Sequence, residues 1–195
     1  MPGDLYVTGD PAADELLATS FDALMIGMLL DQQVPLEWAF AGPHTLRRRL
    51  GHLTPPRIAE MDEERFVAVC CERPAIHRFP ASMGRRIRAL CVRLTDEWDG
   101  HADRLWSDGC DARTLAARLR SLPGFGPEKT QIFIALLAKR FGIRPDGWEQ
   151  AAGVFADDEP RTIADCADEA SLADVRAWKA AQKAAGKDKQ GRRTS

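Results

Sequence analysis

The run Leu119-Arg120-Ser121-Leu122-Pro123-Gly124-Phe125-Gly126-Pro127-Glu128-Lys129-Thr130 has the make-up of a site that holds a phosphate with its main chain. Two glycines flank one apolar residue. Glycine reaches backbone angles that a Cβ resists, and it leaves the turn without bulk, so that another backbone can come close. Pro127 suits the first position of a helix. The amide N–H groups of that first turn have no intrahelical acceptor, and they face outward where a phosphate oxygen can take them. Apolar residues at Leu119, Leu122, Phe125, Phe133, Ile134 and Leu137 would lock the flanking helices together. The plain alternative is an ordinary helical hairpin with a glycine turn.

Other chemistry is sparse. The five cysteines, Cys70, Cys71, Cys91, Cys110 and Cys166, are odd in number and contain no Cys-x-x-Cys pair. They suit neither a disulfide framework nor a clustered zinc or iron–sulfur site. His44, His52, His77 and His101 lack helical metal-ligand spacing. No metal is expected. The formal net charge of −2 argues mildly against nucleic-acid binding, since that binding is driven by basic side chains. The charge is uneven, however. Arg78, Arg85, Arg86, Arg88 and Arg93 form one basic cluster. Lys179, Lys183, Lys187, Lys189, Arg192 and Arg193 form another against a single acid, Asp188. The second reads either as a phosphate-binding arm or as a solvated, frayed end.

The elements that must position these residues are helical. Asp10-Pro11 opens a short helix to about Leu17. Residues 21–33 read as one strongly apolar helix, with Phe21, Leu24, Met25, Met28 and Leu29 at steps of three and four. Pro35 starts another helix that ends at Gly51. Thr54-Pro55 and Asp62 look like two more helix starts. Residues 80–98 read as a long amphipathic helix with Met83, Ile87, Leu90, Cys91 and Leu94 on one side. Residues 111–120 lead into the hairpin and 127–140 leave it. Asp146 looks like the cap of one short helical turn, and residues 171–185 form a last helix. No stretch reads as a strand. The fold class is all-α, about ten helices in two lobes, as one domain over residues 1–186 with the hairpin at 119–137. Residues 187–195 read as a basic flexible tail. The longest apolar runs are too short to span a bilayer. The N-terminus shows no basic-then-apolar leader, so the expected location is cytoplasmic.

The hairpin, with its two apolar positions, Gly124, apolar Phe125, Gly126 and small Thr130 four residues later, resembles the helix-hairpin-helix motif. Together with Gly27-Met28-Leu29-Leu30-Asp31-Gln32-Gln33 and the segment Arg78-Phe79-Pro80-Ala81-Ser82-Met83-Gly84-Arg85-Arg86, it is similar to the helix-hairpin-helix DNA glycosylase superfamily, which includes endonuclease III and the 3-methyladenine glycosylases. The resemblance covers roughly residues 23–152. It implies a base excision repair protein that grips double-stranded DNA by its backbone, extrudes a damaged nucleotide and hydrolyses its N-glycosidic bond. It places Leu122, Gly124, Phe125, Gly126, Lys129 and Thr130 at the backbone contact, and Gln32 and Gln33 beside the extruded nucleotide. The bland alternative is that Gln32 and Gln33 simply end a core helix.

The resemblance also implies a catalytic carboxylate after the second hairpin helix. It would stabilise positive charge on the sugar and activate water, as in glycoside hydrolysis. Asp146, 16 residues beyond Thr130, falls there, although Pro145-Asp146-Gly147-Trp148 departs from the family's apolar-Asp-Thr-His run. The other reading of Asp146 is a helix cap. The bifunctional members' nucleophilic lysine falls at Glu128 in this chain. Lys129 is one step on, roughly 100° around the helix, and reads as a phosphate contact. Glycosylase activity without strand cleavage is therefore expected, with no cofactor and no iron–sulfur cluster; a monovalent cation at the hairpin fits the motif. The protein is expected to act as a monomer. The competing readings are a non-catalytic DNA-binding protein of the same fold and a helical protein that binds another protein.

Overall fold

A computed structural model describes residues 4–193. Residues 1–3, where the leader reading begins, and residues 194–195, the end of the expected tail, lie outside the described residues. The fold is all-α. Ten α-helices of at least five residues stand among the described residues, joined by short 3-10 turns.

Helix α2 (Phe21–Leu30) is the axis of the molecule because it has no polar face: its residues from Ala23 to Leu30 are all buried. Each buried Leu or Met there contributes roughly 1.5–3 kcal/mol relative to exposure. Ser20 both ends α1 (Pro11–Thr19) and caps α2, accepting the Ala23 N–H at 3.2 Å. Helix α3 (Leu36–Leu50) packs directly on α2 at Gly27, where an added Cβ would lie 2.6 Å from Phe40 Cδ1. It stops at Gly51, whose φ of +74° is left-handed.

Helices α4 (Pro55–Glu60) and α5 (Glu63–Cys71) lie against α6 (Pro80–Glu97), whose buried stripe is Met83, Gly84, Ile87, Leu90, Cys91 and Leu94. Helix α7 (Ala112–Arg120) leads through the hairpin turn into α8 (Pro127–Arg140). Around α8 stand α9 (Trp148–Ala152) and a 3-10 turn that packs on α10 (Glu169–Ala184). Buried side chains from α1 through α10 form one continuous apolar cluster.

The chain's beginning is sewn to this frame. Asp4 and Tyr6 donate their N–H groups to Arg140 O and Cys166 O, at 3.3 and 3.2 Å. Buried Asp14 gathers the Val7 and Thr8 N–H groups and the Thr8 hydroxyl on one carboxylate oxygen.

Three expectations about element ends need correction. The helix expected to reach Gln33 ends at Leu30, because Gln33 takes a left-handed φ of +56° ahead of Pro35. Asp146 does not cap α9, which is entered through Gly147 at φ +78° with no side-chain cap; its main-chain oxygen instead accepts the N–H of Ala112, the first residue of α7, at 2.9 Å. The basic stretch read as a flexible tail is, over residues 187–193, a closed turn. Lys187 and Arg193 form an antiparallel bridge, and the Asp188 carboxylate accepts the N–H groups of Gln190 and Arg192, each at 2.9 Å. No helix among the described residues is long and apolar enough to cross a membrane.

Candidate nucleic-acid interface

The hairpin is built from its apolar residues inward. Leu122 and Phe125 are buried, and the Phe125 ring meets Phe133 of α8 edge-on at 5.9 Å. That fixes the turn and leaves its two glycines at the surface. They are not equivalent. Gly124 has φ +81°, and a Cβ on it would sit 2.2 Å from Leu29 Cδ1. It lets the turn press against the end of α2. Gly126 has an ordinary extended backbone (φ −79°), and a Cβ on it would meet nothing within 4 Å. Its open side faces outward.

The N–H groups of Gly124, Gly126, Glu128 and Lys129 have no hydrogen-bond partner among the described residues. Gly124 and Gly126 are exposed, and Glu128 and Lys129 half-buried. The Thr130 N–H returns to Gly126 O at 3.0 Å, which closes the first turn of α8. Thr130 itself is buried, and its hydroxyl lacks a partner.

Lys129 is placed differently from the surface phosphate contact expected of it. Its ammonium donates to Met28 O at 2.6 Å and Leu29 O at 3.1 Å. It thus closes the C-terminus of α2, the helix end that favours a cation. Burial holds its pKa down at about 8; Lys189 and Arg86 add to the depression, and Asp31 and Glu128 oppose it.

Gln32 stands at the same junction. Its amide donates to Leu29 O at 2.9 Å, and its side-chain oxygen accepts from Arg86 at 3.1 Å. Its main-chain oxygen is 2.9 Å from buried His77 Nε2. Because His77 Nδ1 accepts the Phe79 N–H at 3.0 Å, Nε2 carries the ring proton and donates to Gln32. Gln33 is exposed in its left-handed conformation. Non-glycine residues hold such a conformation at a cost of about 1–3 kcal/mol.

The hairpin and this turn share a cavity of about 320 Å³ bordered by Asp31, Gln32, Gly124, Gly126, Glu128, Lys129 and Lys189. Sequence reasoning missed what lies on the far side of Gln32. His77 is buried between two exposed aromatics, Trp38 and Phe79, with ring centroids 6.4 and 6.1 Å from its own. The Trp38 indole donates to Ala75 O at 3.0 Å, and the Arg78 guanidinium lies 5.3 Å from the Phe79 ring centroid. One signal was available: Phe79 precedes Pro80, outside the apolar stripe of α6 that begins at Met83. Contacts therefore link Gln32, which borders the hairpin cavity, to Arg86 and, through His77, to two exposed aromatic rings, an aromatic shelf.

Asp146 lies elsewhere. It is exposed, and its carboxylate has no partner among the described residues. It borders a cavity of about 680 Å³ with Arg113, Arg120 and Gln150, and a smaller one beside Trp106. Neither cavity is lined by Gln32, Gln33 or the hairpin glycines. Cys110, which lines the smaller cavity, is not an activated thiol, because burial raises its pKa.

No protein-family model matches the chain, and no curated protein is significantly similar to it.

Proposed function

We infer that this protein binds double-stranded DNA by its sugar–phosphate backbone, through the hairpin turn, as a base-excision-repair protein of the helix-hairpin-helix kind. The observation that carries the reading is the set of unpartnered N–H groups at Gly124, Gly126, Glu128 and Lys129 beside a glycine with open space where a side chain would be. Such donors fit a phosphate oxygen. They read no sequence, because a backbone contact positions a duplex without distinguishing bases. The exposed rings of Trp38 and Phe79 supply what a backbone grip lacks, aromatic surface on which an unstacked base gains about 1–3 kcal/mol. The preferred ligand is then a duplex with a disturbed or unpaired nucleotide, held by a monomer in the cytoplasm.

A salt series of duplex binding tests this reading. Affinity is expected to fall steeply as salt rises, because each phosphate contact releases counterions. A duplex with one unpaired nucleotide should bind more tightly than a fully paired one. Absence of binding at low salt removes the reading.

N-glycosylase chemistry through Asp146 is a second reading with one specific support. Asp146 is an unpaired carboxylate lining a cavity in which Arg113 and Arg120 could hold flanking phosphates. The carboxylate would face the sugar as positive charge builds on it. A panel of duplexes with deaminated, alkylated and oxidised bases tests it. Base release that Asp146→Asn leaves unchanged excludes Asp146 as the catalyst, and no release from any duplex leaves the DNA-binding reading alone. No strand cleavage is expected, since the Lys129 amine is bonded to Met28 O and Leu29 O.

A further inference from the structure

The hairpin cavity contains a conflict. It offers amide donors to an anion, yet two carboxylates border it, Asp31 and Glu128. Asp31 is the residue just past α2, and its side chain is only 12% exposed. Glu128 is the second residue of α8. Left alone, both would repel a phosphate arriving at Gly126.

Each is met by a residue of the 187–193 turn. Lys189 Nζ lies 3.7 Å from Asp31 Oδ2, and Gln190 Nε2 donates to Glu128 Oε2 at 3.2 Å. Lys129 and Lys179 also act on Asp31 through space, but among the described residues only Lys189 comes within ion-pair distance of its carboxylate. Lys129 is bonded to the carbonyls of α2, and half-buried Lys179 forms no ion pair among the described residues. The turn does not rest on these two contacts alone. Arg161 Nη1 donates to Lys189 O at 3.3 Å, and the Arg161 guanidinium is fixed by Asp157 and lies over Trp178 of α10 at 5.0 Å. The turn is held to the C-terminal half and presents Lys189 and Gln190 to the two acids.

We propose that the 187–193 turn is a positioning element for DNA: Lys189 offsets the Asp31 charge and Gln190 ties down the Glu128 carboxylate, so that the hairpin mouth admits a backbone phosphate. This rests on the DNA-binding reading. It differs from two simpler roles for the same residues. In one, Lys189 touches phosphate directly. In the other, the turn is a lid that blocks the hairpin. The three differ in sign and in coupling.

The test is a short paired duplex titrated at low salt against full-length wild type, Lys189→Gln, Asp31→Asn and the double variant. Lys189→Gln is expected to weaken binding about fivefold, the effect of one uncompensated charge near a phosphate in water. In the Asp31→Asn background the same substitution should change affinity by no more than about twofold, because the group that Lys189 acts through is gone. Lys189→Arg should keep wild-type affinity. Thermal unfolding, unchanged across the set, separates these effects from folding. An equal loss in both backgrounds assigns Lys189 a direct phosphate contact and overturns the proposal. Tighter binding by Lys189→Gln identifies a lid and overturns it as well. Wild type that binds no DNA overturns the underlying reading and this one together, so the two failures are told apart.

Discussion

The two hairpin glycines are the residues on which most turns, and they make opposite predictions. Gly124→Ala places a methyl 2.2 Å from Leu29 Cδ1 on a left-handed backbone. It should cost about 2–4 kcal/mol in denaturant unfolding, from strain and overpacking together. Gly126→Val meets open space on an allowed backbone, so the melting temperature should hardly move. Its duplex affinity should nevertheless fall about tenfold or more, the loss of a charge-assisted hydrogen bond to phosphate.

Lys129 carries a pH signature. Its pKa of about 8 in the folded chain lies below the ordinary 10.5, so between those values the unfolded chain binds more protons. Stability attributable to Lys129 therefore rises as pH increases from about 8 to 10.5. Buried thiols pull the other way, because folding raises Cys70 and Cys166. The comparison must be wild type minus Lys129→Met across that range. A flat difference would mean that the ammonium is not desolvated. The importance of Lys129 was visible in the sequence from its place beside Gly126. Its partners were not, because Met28 and Leu29 lie a hundred positions earlier and only tertiary packing brings them together.

At the scale of elements, local rules carried far. Proline at the first helical position marks the starts of α6 and α8, Asp10 and Asp62 cap the helices assigned to them, and Gly51 ends α3. These signals involve residues a few positions apart, so the chain itself displays them. The end of α2 failed the same treatment. Its stop is made by the Lys129 ammonium on its last carbonyls and by the left-handed Gln33, neither of which has a local sequence mark. The shelf failed for the same reason: His77, which holds Phe79 two positions on, reaches Gln32 across 45 positions. It also makes the shelf testable as a unit. Phe79→Ala removes an exposed ring and should leave stability nearly unchanged. It should lower affinity for a duplex with an unpaired nucleotide by about 1–3 kcal/mol while affecting a fully paired duplex much less. Equal losses on both duplexes would assign Phe79 to the backbone grip.

For the whole molecule, a net charge of −2 conceals a division of labour. Arg86 and Lys189 stand at the Gln32 turn and the hairpin cavity, while acids such as Asp157 and Asp165 are matched by Arg161 and Lys139. Overall charge is thus a poor guide to what one face binds. The all-α class was readable because helical periodicity needs no partner to be seen. Where the carboxylate of Asp146 sits was not, because spacing along the chain does not fix which cavity a residue borders. In the proposed function, free amides at one turn take a DNA phosphate. Amide spectra of nitrogen-labelled protein, titrated with a short duplex, test it most directly. The N–H signals of Gly126, Glu128 and Lys129 are expected to move first and furthest. Duplex binding that leaves those three unmoved and shifts signals elsewhere would contradict it.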